Sequence, residues 1–442
     1  MIDSEHRRQA EALLRYINAS PSPWHAATTA AEWLEEEGFQ CLDERAPWEL
    51  QESGRYYVIR DDSSLIAFII GTNPLPQAGF RIVGAHTDSP GLRLKPNPLQ
   101  QTDSLLRLGV EIYGSPILAT WTDRDLSLAG RVALRTDTPE KPAVCLLDFG
   151  APLLRLPNLA IHMNRKVNEE GLKLDPQTEL PLLLAVSGEK APTQDHFVQL
   201  LASHMDCDPH AILSWELNVY DTQTGAFWGQ DQEFIASSRL DNLASCHAAL
   251  SALISDDEST ATRVCALFDH EEIGSESFKG ASGSFLADIL QRIGCALALD
   301  EESTRQALAA SFLISADMAH AYQPNFDWGY DAGHKLIVNR GPAIKTNANV
   351  RYTSEAYSQA LFIGWCEEAG VSWQHYCHRS NLPCGSTIGP IVSSRLGLRS
   401  IDIGNPLWAM HSIRESAGVK DHGDLIRVLE RFFGSPAIPV NA

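Results

Sequence analysis

Cationic residues are scarce in this chain: 35 Lys and Arg stand against 56 Asp and Glu, a formal net charge of −21. An acidic surplus of that size disfavours nonspecific binding to nucleic acid or to an anionic membrane. It also means that an acidic substrate would need a local cation to receive it. Long hydrophobic runs are missing too, since none approaches the roughly 18 to 20 residues of a membrane span. The opening stretch, Met1-Ile2-Asp3-Ser4-Glu5-His6-Arg7-Arg8, carries no apolar signal core. The nine cysteines are odd in number and scattered, without a Cys-x-x-Cys pair. A disulfide framework is therefore not expected, and a reducing cytoplasm is. Internal repeats and low-complexity tracts are absent as well.

The 442 residues exceed the usual single-domain range, so two domains or a large insertion are expected. Residues 5 to 18 and 25 to 37 carry helical apolar spacing, broken by Ala19-Ser20-Pro21-Ser22-Pro23. Arg55 to Arg60 and Leu65 to Ile70 read as a hairpin, and Phe80 to Ala85 as a short buried strand. From 92 to 233 the texture changes to short alternating runs separated by Pro- and Gly-bearing turns, which predicts a β-rich insertion. The flanking portions, 1–91 and 234–442, then form one discontinuous domain. Its later part alternates helix (Leu240 to Ile254, Phe285 to Ile293) with strand (Arg263 to Phe268, Ser311 to Ala316, Ser400 to Ile403). That alternation predicts an α/β fold with a mostly parallel central sheet.

Ligands of open α/β sheets bind outside the carboxyl ends of the strands. Four segments with metal-binding side chains sit at such ends. His86 ends Arg81-Ile82-Val83-Gly84-Ala85-His86, and Glu271 and Glu272 follow Val264-Cys265-Ala266-Leu267-Phe268. Asp317 follows Phe312-Leu313-Ile314-Ser315-Ala316, and His411 lies beyond Ile401-Asp402-Ile403-Gly404. Asp241 opens a helix in Ser237-Ser238-Arg239-Leu240-Asp241-Asn242, where it either stabilises the helix dipole or bridges two metals. Each residue has an ordinary reading by itself: a His-x-Asp surface pair, a solvated Glu-Glu pair, a plain strand end. Together they satisfy a two-zinc site, with about four N and O donors per ion and a position open for water. His86, Asp317 and Asp241 would hold one zinc, and His411, Glu272 and Asp241 the other. Glu271 is left over as a general base for zinc-activated water. Asp88, two residues past His86, can orient its non-ligating nitrogen. Cobalt or manganese could take the same positions.

The chain resembles the aspartyl aminopeptidases, a family of two-zinc exopeptidases. The resemblance runs through Gly84 to Pro90, Trp121 to Gly130, Asn158 to Arg165, Ser238 to Asn242, Asp269 to Ser275, Ser315 to Ala321, Gly341 to Lys345, Cys384 to Pro390 and Ala409 to Glu415. It implies the same ligands (His86, Asp241, Glu272, Asp317 and His411), with Glu271 as base. It further implies release of N-terminal Asp or Glu from peptides. The implied architecture is an α/β peptidase domain interrupted by a β-rich dimerisation domain, assembled further into tetrahedral dodecamers. Lys345, the cation of the otherwise uncharged stretch 341–350, is the candidate for the acidic side-chain pocket. His162 in the insertion would reach a neighbouring subunit's site, and His320 would line the pocket or support the metal loop. Gln323, Tyr330, Ser115 and Thr122 depart from the family pattern, though none is a ligand position. Cys377, His378 and Cys384 fit no structural zinc spacing and read as loop residues. Two rival readings are a two-zinc deacylase of N-acyl compounds and a noncatalytic assembly protein. The first would prefer an acylated N-terminus, and the second would have lost Glu271 or a ligand.

Overall fold

Residues 2–187, 193–255 and 260–435 are described by the structure, a computed structural model. The chain divides into two units: Met1–Asp88 with Gly225–Met410 and Glu415–Ala442, and Ser89–Thr224 with His411–Arg414.

The first unit is organised by a nine-stranded sheet. Its strands are β1 (Gln40–Cys41), β2 (Arg55–Arg60), β3 (Ser64–Ile69), β4 (Phe80–His86), β5 (Thr262–Phe268), β6 (Phe312–Ala316), β7 (Ala343–Thr346), β8 (Gln374–Cys377) and β9 (Arg399–Gly404). They lie in the order β1-β2-β3-β5-β4-β6-β9-β7-β8. The central four, β5, β4, β6 and β9, run parallel. Their carboxyl ends therefore share one edge of the sheet. β3 and β7 flank them antiparallel, so the sheet is mixed at its margins.

The central strands are buried at nearly every position because both faces are covered. Val83 and Ala85 of β4 and Cys265 and Leu267 of β5 join one core with the helices Ser4–Asn18, Leu240–Ile254, Ala356–Ala369 and Val419–Gly434. Phe80 and Ile82, with Val264 and Ala266, point the other way. They join a second core with Phe285–Ala296 and Ile388–Leu396. The α/β expectation thus holds, as a three-layer arrangement. A smaller five-stranded sheet in the same unit includes Glu415–Gly418 and Ala319–His320.

In the second unit, six strands pair antiparallel throughout. Helix Gln194–Met205 covers the sheet with Phe197 and Leu201, fully buried against Leu217, Val219 and their neighbours.

Two histidines are sunk in the first core. His247 Nδ1 and His422 Nε2 lie 2.9 Å apart, and Trp33 and Tyr16 pack on the His247 ring. Burial pushes both imidazoles down, His422 to about 3, and for His247 the His422 and Arg15 charges add to the effect. The unfolded chain takes up these protons near pH 6.5, whereas the folded chain refuses them. Their contribution is complete above about pH 6.5 and is lost as pH falls, by up to about 1.4 kcal/mol per pH unit for each histidine. Thermal melts from about pH 8 down to 5 should therefore fall less steeply in His422→Gln than in the wild type. Equal slopes would show that the pair does not set acid lability.

Candidate metal centre

The centre is assembled at the shared carboxyl edge of the parallel strands. His86 is the last residue of β4 and 2% exposed. Its Nδ1 lies 3.0 Å from the Asp88 carbonyl oxygen and 3.4 Å from the Asp88 carboxylate. An Nδ1–H donated to that carbonyl leaves Nε2 with a lone pair. Nε2 faces Asp317 Oδ1 at 3.5 Å, Asp241 Oδ1 at 3.6 Å and Glu271 Oε2 at 4.0 Å.

Glu271 and Glu272 occupy a tight turn just past β5. The chain enters it through a left-handed His270 (φ +68°) and leaves through Gly274 (φ +99°). Asp88, fully buried, holds this turn from beneath: its two carboxylate oxygens accept the Glu271 and Glu272 N–H groups, each at 3.1 Å. Sequence reasoning gave the Asp88 carboxylate to His86. In the structure the imidazole faces both the Asp88 carbonyl and its carboxylate, and that carboxylate also accepts the N–H groups of Glu271 and Glu272.

Asp241 is 3% exposed and precedes the regular turns of its helix, with ψ +105°. The Asp241–Asn242 peptide bond is cis. Asp241 N–H donates to Glu415 Oε2 at 3.0 Å, and Asn242 Nδ2 donates to the Ala316 carbonyl at 2.9 Å. These long-range ties leave no periodic signal in sequence.

The donors suit zinc. His86, Asp241 and Glu272 offer ligand atoms that all lie within 4.8 Å of one another. Nitrogen and oxygen donors bound tetrahedrally at about 2.1 Å stand about 3.4 Å apart, close to the His86–Asp317 and His86–Asp241 separations. The electrostatics point the same way. Burial pushes His86 towards neutrality, yet Asp317, Asp88 and Glu271 outweigh it and hold the imidazole well above its usual value. The cluster thus draws in a proton where a metal would compete for the site. Burial lifts Glu271 well above the carboxylate range; His86 opposes this, and Asp317, Glu272 and Asp88 add to it. For Asp317, burial works upward, but Lys345 and His86 hold it well below the ordinary value.

Lys345 sits in β7, 3% exposed, with Nζ 3.4 Å from Asp317 Oδ2 and 5.4 Å from the centre of the Tyr352 ring. Tyr352 stacks edgewise on Tyr376, which in turn meets His320 at 5.9 Å. Lys345 and His320 are therefore joined through two tyrosines that sequence reasoning did not single out. His411 groups with the second unit, where its Nδ1 lies 3.1 Å from the Ser115 carbonyl oxygen. His162 is exposed in that unit, between exposed Ile161 and Met163.

Residues 16–433 match the model of the aminopeptidase I zinc metalloprotease family, M18. The chain is thus a metallo-hydrolase. It belongs to the M18 family and is an aminopeptidase. A probable M18 family aminopeptidase 2 of Ectopseudomonas mendocina is 48% identical over 97% of this chain and 99% of its own length. Its counterpart in Azotobacter vinelandii is 46% identical, again over 97% and 99%. Among solved structures, the Ape4 chain of an Ape4 and Nbr1 complex is 37% identical, with a TM-score of 0.93 over 97% of this chain and 86% of that one. The S. cerevisiae mApe1 dodecamer is 27% identical, with a TM-score of 0.83 over 96% of each chain.

Proposed function

We propose that this aminopeptidase removes N-terminal Asp or Glu from peptides, with two divalent ions, Glu271 as general base and Lys345 as the receptor for the acidic side chain. The observation that carries this reading is the placement of one buried ammonium, Lys345, against the carboxylate cluster that surrounds His86. A chain of net charge −21 repels an acidic peptide at long range, so a desolvated local cation is what would select it.

His86 and His411 would each serve one ion, Asp241 would be shared, and Glu272 and Asp317 would complete the set. When bound, such ions acidify water and polarise the scissile carbonyl. Glu271, aligned through its own N–H on Asp88, takes the proton of the attacking water and delivers it to the departing amine. Carboxylates near the centre would contact the substrate's free α-amine, which favours an unblocked N-terminus.

Assembly of copies through the second unit is supported by its exposed apolar residues, Leu159, Ile161 and Met163, and by the dodecameric state of the yeast relative. His162, set among them, would then reach the site of a neighbouring copy.

Initial rates on matched Asp-, Glu- and Leu-dipeptides test the chemistry. Glu271→Gln should lose about 100- to 10,000-fold in kcat with its metal retained, as removal of a general base does. Near-normal turnover would sink the base assignment. Lys345→Met should lose about 10- to 100-fold in kcat/KM on the Asp substrate relative to the Leu substrate, the worth of a charge-assisted hydrogen bond. An equal loss on both would remove Lys345 from specificity.

A further inference from the structure

A second buried lysine lies beside the residues that lead into the Glu271–Glu272 turn. Lys279 is 3% exposed, with Nζ 2.9 Å from Asp61 Oδ2 and 3.0 Å from Asp269 Oδ2, and the ring of buried Trp24 stands 5.7 Å away. Asp269 is fully buried and two residues before Glu271. Its other oxygen accepts the N–H of His270, the left-handed residue that starts the turn, at 2.8 Å. The backbone repeats the connection. Asp269 N–H donates to Ser64 Oγ at 2.8 Å, and that hydroxyl donates to the Lys279 carbonyl at 2.9 Å. The next residue back, Ser63, accepts from Thr87 Oγ1 at 2.8 Å, beside His86.

The turn 61–64, Lys279 and Asp269 thus form one closed frame, and the loop bearing the base hangs from it. A lysine buried to this degree has given up most of its hydration, and the two carboxylates that face it stand in for that water. Such an arrangement fixes geometry more than it adds net stability. Asp88 ties the N–H groups of the turn itself, while Lys279 ties the residue that leads into it.

We propose that Lys279 is a positioning residue for the reaction: through Asp269 and His270 it holds the Glu271 carboxylate where it can move the proton. This rests on the reading of Glu271 as base. Without Lys279, Asp269 is a buried carboxylate lacking its cation, and it must draw in water or turn outward. Either response shifts His270 and the two glutamates after it. Displacements near 1 Å cost about 100-fold when the reacting groups must be aligned.

The test compares purified wild type, Lys279→Met, Lys279→Arg and the neutral pair Lys279→Met with Asp269→Asn, on an Asp-dipeptide, with zinc content measured for each. In Lys279→Met, kcat should fall about 10- to 100-fold while KM stays within about twofold and zinc is retained. Lys279→Arg should recover part of the loss. The neutral pair removes the buried carboxylate together with its lysine and leaves only the partly exposed Asp61 without it, so it keeps the experiment readable if the single variant fails to fold. Its kcat should still be reduced. Placed in Glu271→Gln, Lys279→Met should change the residual rate by less than about twofold, because coupled residues are not additive. The assignment is overturned by normal kcat in the folded variants, by zinc loss in proportion to rate, or by an equal loss in both backgrounds. Retained turnover in Glu271→Gln alone would instead strike the base reading, and is a separate result.

Discussion

The constraint on which the rest depends is the crowding of negative charge at one edge of the sheet. Asp241, Glu271, Glu272 and Asp317 gather around His86 where little water reaches them. Carboxylates held this close cannot all ionise without cations, and the desolvation cost of each is several kcal/mol in order of magnitude. Parallel strands make the gathering possible, because β4, β5 and β6 end on the same edge. Local cations accompany it: Lys345 stands against Asp317, and Lys279 against Asp269.

A second regularity follows from the first. Three carboxylates of the cluster are held by their backbones. Asp88 takes the N–H groups of Glu271 and Glu272, and Glu415 takes that of Asp241. Anchoring through the main chain leaves side-chain oxygens available to metal and proton. It also explains why the loops contain left-handed residues such as His270, whose unusual φ turns successive N–H groups towards one acceptor.

Much of this architecture could be read in the sequence because it is periodic. The apolar runs before His86, Asp269 and Asp317 identify buried strands, and a side chain just past a parallel strand lies where α/β folds bind ligands. The alternating runs between 92 and 233 predict β structure, and several of them lie in the six-stranded antiparallel sheet. The less legible features are polar and non-local. Lys279 lies in a Ser- and Gly-rich loop without period, and its partner Asp61 is more than two hundred residues away in the chain. Asp88 was noticed for its side chain, but its carbonyl and carboxylate together serve two segments. Tyr352 and Tyr376 have no motif of their own; the parallel pairing of β7 and β8 sets Tyr376 opposite Lys345, and Tyr352, from the loop after β7, packs near both.

The central claim is that Asp241 joins two ions, with His86 on one and His411 on the other. A crystal structure of the zinc-loaded protein, with anomalous data collected at the zinc edge, tests it most directly. The account predicts two anomalous peaks bridged by Asp241, with a histidine on each and Glu271 outside both coordination shells. A single peak, or one coordinated by Glu271, would contradict it.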